Sequence, residues 1–322
     1  MLPDDFLLMA EMQKRKDHRE VEKIDDIYTS GIRFAEQWND AFTHQYAYFN
    51  RANYRREIGK LRESIDDSNM VLSIAPNSVI GALSLGIAGE GYARLGDFDS
   101  AYSTYLRMRT LVSRAPSLEQ RQFFAASQLE GLQQELLAIL GLVATMKDDH
   151  AIAVKWFTQA LEQNPSSVLA ARNIGPSLLK LGRTNDALSA FRSYDRIKPQ
   201  EADTKFQIAK ILHEQEKHEE AIVYLSKALE INPDLDQALS YRAFSNQTLK
   251  RYKESIRDYT ILINRTKGNQ EASLLYSLLA MRGLAYQGLN NWEDACKDFR
   301  QAFSLGNMTV KEHASYCNSK GF

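Results

Sequence analysis

The sequence is poor in the residues that cross-link a chain or turn it sharply. Of its 322 residues, 2 are Cys, 7 are Pro and 16 are Gly. Two cysteines are too few for a disulfide framework or a four-ligand zinc site, so reduced thiols in an intracellular protein are the simplest expectation. Proline and glycine fall below their average usage of about 5% and 7%, and this shortage in so long a chain favours helices.

An excess of charge of one sign is absent as well. The 40 basic and 41 acidic side chains leave a formal charge of -1, which gives no electrostatic drive toward nucleic acid or an anionic membrane. The longest apolar run, residues 136–146, is shorter than the roughly 18 residues of a membrane span. Residues 1–10 lack the basic flank and the length of a secretory signal. We therefore expect a cytoplasmic protein without a nucleic-acid or membrane partner.

Internal repetition is the dominant feature that the sequence does have. Small residues, large apolar residues and prolines each recur at a spacing of 34 and stay in phase with one another. The small positions are Gly141, Gly175, Ala209 and Ala243, followed by Ala153, Ala187 and Ala221. The large positions are Phe157, Phe191, Leu225 and Tyr259, and the prolines are Pro165, Pro199 and Pro233. Such a period predicts a stack of helical hairpins.

This pattern resembles the tetratricopeptide repeat family, whose 34-residue unit is a helix-turn-helix. The resemblance implies an all-α fold, a right-handed α–α superhelix or solenoid, in which proline ends the second helix of a unit. Seven units follow from the phase: 45–78, 82–115, 134–167, 168–201, 202–235, 236–269 and 276–309.

The ends and the insertions depart from the repeat. Residues 1–44 are expected to be an N-terminal helical cap, with one helix from Asp4 to Ile27 and one from Tyr28 to Phe42. Residues 310–322 are expected to be a C-terminal capping helix. The insertion 116–133 is expected to extend a helix that runs from about Leu118 to Met146, and the six extra residues 270–275 to lengthen another first helix.

No constellation of residues indicates catalysis, a metal or a cofactor. His213 and His218 are five residues apart, which predicts different helix faces across a turn and not a zinc-protease pair. Cys296 follows Ala295 on the packed face and is expected to be a small buried residue, not a nucleophile. We therefore expect a protein that is not an enzyme, with no cofactor and no metal.

The resemblance also implies a binding groove lined by the first helix of each repeat. Carried over position by position, its lining residues are Tyr46, Phe49, Asn53, Arg56, Leu142, Arg172, Leu179, Phe206, Lys210, Phe244 and Gln247. Phe206 and Phe244 are expected to be exposed anchors for a partner. Arg51, Arg55 and Arg56, among the aromatics of the first unit, either hold an acidic or aromatic segment or form a solvated face.

The lining residues do not match the set that binds chaperone C-termini in this family. One subgroup of the family holds the C-terminal carboxylate of heat-shock chaperones with a Lys and an Asn one turn apart. The corresponding pairs here are Phe49 with Asn53, Gly86 with Glu90, and Arg172 with Pro176. A chaperone-tail adaptor is therefore disfavoured.

Pro176 falls inside a predicted first helix, so that helix either kinks or begins late. A kink would free the carbonyl of Arg172 for a ligand.

These features favour a protein-interaction scaffold or adaptor that binds a partner peptide or helix in the groove. The alternative is a regulatory or structural subunit of a larger complex, bound through the outer faces and the 118–133 extension. Phe123 and Phe124 lie on that extension and cannot share one helix face. They are a second candidate interface, for a dimer or for another partner, unless the N-terminal cap covers them.

Overall fold

In a computed structural model, the chain is all-α over the residues that the structure describes, which are 21–38, 40–113, 126–266 and 272–321. These residues form sixteen α-helices and one short 3₁₀ turn, Met308–Val310. They fall into two compact units, with unit 1 ending at Arg183 and unit 2 beginning at Thr184.

Unit 1 contains the first eight helices, and neighbours in the chain pack against each other. They are α1 (Val21–Trp38), α2 (Ala41–Glu57), α3 (Leu61–Ile74), α4 (Val79–Arg94), α5 (Phe98–Ser113), α6 (Ala126–Met146), α7 (His150–Gln163) and α8 (Val168–Lys180).

Unit 2 contains the remaining helices, again packed in chain order. They are α9 (Thr184–Ile197), α10 (Ala202–Glu214), α11 (His218–Ile231), α12 (Asp236–Thr248), α13 (Tyr252–Thr266), α14 (Ala272–Gly288), α15 (Trp292–Ser304) and α16 (Lys311–Lys320).

The turn inside each predicted repeat contains a left-handed residue. Gly59, Gly96, Asp148, Gly182, Glu216, Lys250 and Asn290 all have positive φ. A left-handed residue after a helix lets the next backbone N–H groups bond to the last carbonyls, which reverses the chain. In three of the turns this residue is a glycine. In the other four it is Asp, Glu, Lys or Asn, despite the steric cost of a side chain in the left-handed conformation.

Small residues on the first helix accept a ring from the second. A methyl group added at Gly141 would lie 2.6 Å from the ring of Phe157, and one added at Gly283 would lie 2.7 Å from the ring of Phe299. Both rings are fully buried. The small and large residues that recur in the sequence therefore contact each other where the two helices of a repeat pack closely.

The N-terminal helices differ from the expectation. The predicted break between Ile27 and Tyr28 is wrong, because α1 continues through it. Ile24, Tyr28, Ile32 and Ala35 are all buried on one stripe, and one continuous apolar stripe favours one helix. The residues of the Asp4–Ile27 prediction that precede 21 lie outside the described residues.

Both insertions occur where first helices were expected to lengthen. α14 has 17 residues, against 13 in α10 and in α12, as predicted from the extra residues 270–275. α6 has 21 residues, and its described part begins at Ala126. The portion 118–125 of the predicted long helix, with Phe123 and Phe124, lies outside the described residues.

The C-terminal helix is held by a bond that the composition did not predict. Cys296 on α15 and Cys317 on α16 form a disulfide across a sequence separation of 21. The expectation of reduced cysteines is therefore wrong in this structure, because the two positions meet when α16 folds onto α15. Disulfides persist mainly in oxidising compartments. The cytoplasmic expectation assumed reduced cysteines, so that reason for it no longer holds.

We expect loss of this disulfide to loosen α16 strongly. A helix of 10 residues is too short to be stable alone, and closing a loop of this size is worth about 3 kcal/mol in the chain-entropy model. Hydrogen exchange of the α16 amides should therefore accelerate by about two orders of magnitude in Cys317→Ala. Reductant should reproduce this in the wild type and leave the variant unchanged. Equal protection in oxidised and reduced wild type would contradict the role of the bond.

Candidate partner-binding face

An exposed aromatic patch lies on the predicted lining face of α10 and α12 in unit 2. Phe244 on α12 is 42% exposed, and its ring meets that of His213 on α10 with 5.2 Å between centroids. Lys210 precedes His213 by three residues, and Gln247 follows Phe244 by three, so each shares a helix face with a ring. With Tyr241, whose ring is 5.0 Å from that of His213, these residues form what we call the Phe244 patch.

Phe206 does not belong to the exposed part of this face. It is 6% exposed, and its ring packs edge-on against that of Tyr241 with 5.5 Å between centroids. The expectation that Phe206 and Phe244 form an exposed pair is therefore wrong for Phe206. The physical reason is that Tyr241, on the next first helix, covers the ring.

His213 is a positioned ring at the centre of the patch. Its Nδ1 is 2.9 Å from the Ser245 hydroxyl. Burial lowers the pKa of His213, and the nearby charge of His218 lowers it further. The rings of His213 and His218 are 5.0 Å apart. The two residues lie on different helices across a turn, as predicted, and the left-handed residue Glu216 in that turn brings their rings together.

The lining face of α2 in unit 1 carries a row of aromatic rings. The Tyr46 ring is 6.2 Å from that of Phe42 and 6.4 Å from that of Phe49. Phe42 is 51% exposed, whereas Tyr46 and Phe49 are half-buried and pack against a core cluster that includes Ala47 and Ile80. Only the outer end of the row is therefore open to a partner.

The charged groups at the polar end of the same face are paired within the protein. Arg56 donates to the Glu90 carboxylate, and also to the Asn53 side-chain oxygen at 2.9 Å. Arg94 donates to the Arg56 carbonyl at 3.0 Å. Asn53 and Arg56, both predicted to line the groove, therefore bind each other and their neighbours across α2 and α4.

Arg51 and Arg55 do not face a partner. Arg51 donates to both Asp67 oxygens at 2.9 and 2.7 Å, and Arg55 donates to Asp25 at 2.8 and 3.0 Å. Burial alone would raise the pKa of Asp25, but the hydrogen bonds and charge of Arg55, together with the charges of Lys60 and Arg51, lower that pKa overall. Both alternatives considered for these arginines, an acidic partner or a solvated face, are wrong, because each guanidinium is held in a buried ion pair.

Among the described residues the same Arg–Asp arrangement occurs three times, and the expectations from the sequence did not include it. Each Asp follows its Arg by 16 residues and binds it bidentately, and the Arg also donates to a hydroxyl on the preceding helix. The sets are Arg51, Asp67 and Thr29; Arg242, Asp258 and Ser226; and Arg282, Asp298 and Thr260. The recurring Arg-to-Asp spacing was a usable signal, since both positions are apolar or uncharged in the other repeats.

The remaining predicted lining residues are spread over unit 1. Leu142 and Leu179 are half-buried, and Arg172 is exposed. Pro176 lies inside α8, which begins at Val168, so a late helix start is wrong. Because proline has no N–H, it cannot bond the Arg172 carbonyl, and a ligand at that carbonyl stays a proposal.

Two family models described as "Tetratricopeptide repeat" match the chain, one over residues 202–235 and one over 140–202. No curated protein matches it significantly in sequence. Within the described ranges no group of three or more His, Cys, Asp or Glu is placed to bind a metal. Among the helices of those ranges, none is both long enough and apolar enough to cross a membrane.

Solved structures share the fold. The C-terminal part of a TPR repeat-containing protein from Cytophaga hutchinsonii aligns with a TM-score of 0.63 at 14% identity, covering 82% of this chain and 98% of that one. YrrB, described as a TPR protein with an unusual peptide-binding site, aligns with a TM-score of 0.50 at 22% identity, covering 66% of this chain and 95% of that one.

Proposed function

We propose that this chain, which is a tetratricopeptide repeat protein, is a non-catalytic scaffold or adaptor that binds a peptide segment or helix of another protein. In unit 2 the binding face is formed by the first helices α10 and α12, and its centre is the Phe244 patch. Proteins of this family are generally protein-binding or peptide-binding scaffolds, and the proposal assigns that role to named residues.

The observation that carries the proposal is the exposure of Phe244 beside a fixed polar ring. An aromatic side chain that is 42% exposed offers apolar area that a ligand can bury, and aromatic side chains are frequent anchors at interfaces. The His213 ring beside it is held by Ser245, so little side-chain freedom is lost on binding. Lys210 and Gln247 supply a charge and an amide for orienting the bound segment.

The predicted lining face of unit 1 is less suited to binding. In unit 1, Arg56 is neutralised by Glu90, and a partner carboxylate would have to replace that bond. The open end at Phe42 offers one exposed ring. YrrB, a neighbour in fold, is described as having a peptide-binding site, which supports the class of ligand and not its identity.

We expect peptides selected from a random library on this protein to depend on Phe244. Replacing Phe244 by Ala removes the exposed anchor and should weaken the selected peptides by at least 10-fold, as loss of an interface hot spot does. The matched control is Val223→Ala, because Val223 on α11 is 51% exposed and lies outside the patch. Affinities are measured by fluorescence anisotropy. Equal affinities for wild type and Phe244→Ala would refute the placement of the site.

A further inference from the structure

We propose a second interaction site on unit 1, for an acidic segment of a partner protein, formed by Arg109, Lys155, Trp156 and Tyr102 on α5 and α7. We call these four residues the Trp156 cluster. It contains no lining residue of the groove, so it is independent of the proposed function.

Two cations share one indole ring in this cluster. The Arg109 guanidinium carbon is 4.8 Å from the centre of the Trp156 ring, and the Lys155 ammonium is 5.8 Å from the same centre. Trp156 is 7% exposed, whereas Arg109 is half-exposed and Lys155 is exposed. The charged groups therefore lie at the surface above a buried ring, which restricts their motion.

Among the side chains that the structure describes, neither cation of the cluster is paired with a carboxylate. In the part of the chain that the structure describes, no carboxylate lies within ion-pair distance of Arg109 or Lys155. The third cation nearby, Lys147, differs: it is 5.1 Å from the Tyr102 ring and pairs with Asp99 at 2.6 Å. Arg51, Arg242 and Arg282, by contrast, have carboxylate partners on neighbouring helices. At the cluster, an acidic ligand would supply that charge.

The cluster presents hydrogen-bond donors as well as charge. A guanidinium stacked on a ring keeps its N–H groups at its edge, where they match the two oxygens of a carboxylate. The Trp156 indole N–H donates to the Tyr102 hydroxyl oxygen at 2.9 Å, which fixes that hydroxyl while leaving its own hydrogen available to an acceptor. An Asp or Glu side chain is the ligand that this set of donors fits.

An acidic protein segment fits the cluster better than nucleic acid does. Specific protein–DNA contacts typically engage about 6–10 phosphates, and the cluster offers two cations. The chain as a whole has a formal charge of -1, which gives no long-range attraction to a polyanion. A short run of carboxylates needs neither many cations nor long-range attraction to bind.

The test is the binding of fluorescein-labelled octaglutamate to the full chain at low salt, measured by anisotropy. The variant Arg109→Gln, Lys155→Gln should weaken binding at least 10-fold. The control Arg62→Gln, Lys180→Gln removes two exposed cations from the same unit and should change binding less than 2-fold. Arg109→Lys keeps the charge without the planar donors, so its loss of affinity should lie between those of the double variant and the control.

Circular dichroism of each variant shows whether the fold is retained, and Arg109→Lys tests the site even if the double variant does not fold. The proposal is overturned by any of three results: octaglutamate does not bind the wild type, the control loses as much affinity as the double variant, or a single-stranded octathymidylate binds the cluster more tightly than octaglutamate.

Discussion

Replacing Asp258 by Ala is expected to lower the free energy of unfolding by about 3–5 kcal/mol, the usual cost of leaving one partner of a buried ion pair unpaired. The Asp258 side chain is 3% exposed, and it binds Arg242, whose side chain is 23% exposed. Without the carboxylate, the guanidinium keeps only its bond to the Ser226 hydroxyl at 3.2 Å. Urea unfolding followed by circular dichroism measures the loss.

The repeats themselves provide the matched control. Ile208 and Tyr224 stand 34 residues before Arg242 and Asp258, at the same places in the preceding repeat. The double variant Arg242→Ile, Asp258→Tyr should therefore cost far less than Asp258→Ala, because exchange of a buried ion pair for packed apolar groups is often close to neutral. A double variant as unstable as the single one would show that the loss comes from packing and not from an unpaired charge.

Truncation of Phe206 should also be severely destabilising, unlike truncation of Phe244. Phe206 is 6% exposed and Phe244 is 42% exposed. Core Phe→Ala changes cost about 3–5 kcal/mol, so Phe206→Ala should lose stability of that size. Phe244→Ala should lose less than about 1 kcal/mol, as surface changes do. The same urea titrations measure both variants.

The two variants distinguish a core residue, Phe206, from an exposed binding residue, Phe244, on the same helix face. If Phe206→Ala, like Phe244→Ala, loses less than about 1 kcal/mol, the ring of Phe206 is not part of the core and the packing against Tyr241 is misplaced. If Phe244→Ala, like Phe206→Ala, loses about 3–5 kcal/mol, Phe244 is a core residue and the exposed patch does not exist.

The sequence predicted the helical hairpins because their determinants are local and periodic. Gly141 and Phe157 meet because a small residue and a ring recur in phase, and the left-handed turns follow each first helix in the same way. Pro176 shows the limit of local reasoning: α8 continues through it, because packing of neighbouring helices offsets the lost backbone bond.

What the sequence could not predict depends on contacts between elements. Whether Phe206 is exposed is decided by Tyr241 on the next first helix, and whether Arg51 is free is decided by Asp67 on the helix that follows. Cys296 and Cys317 meet only when α16 packs on α15. A repeat pattern places residues on helix faces, but it does not say which neighbour covers them.

The most direct test of the central claim is photo-crosslinking of a selected peptide from defined positions on the protein. Phe244→p-benzoylphenylalanine keeps an aromatic ring in the patch, and Val223→p-benzoylphenylalanine places the same group on the exposed side of α11. We expect light to join the peptide to position 244 and not to position 223, with unlabelled peptide competing for the adduct. An adduct at position 223 and none at position 244 would contradict binding at the Phe244 patch.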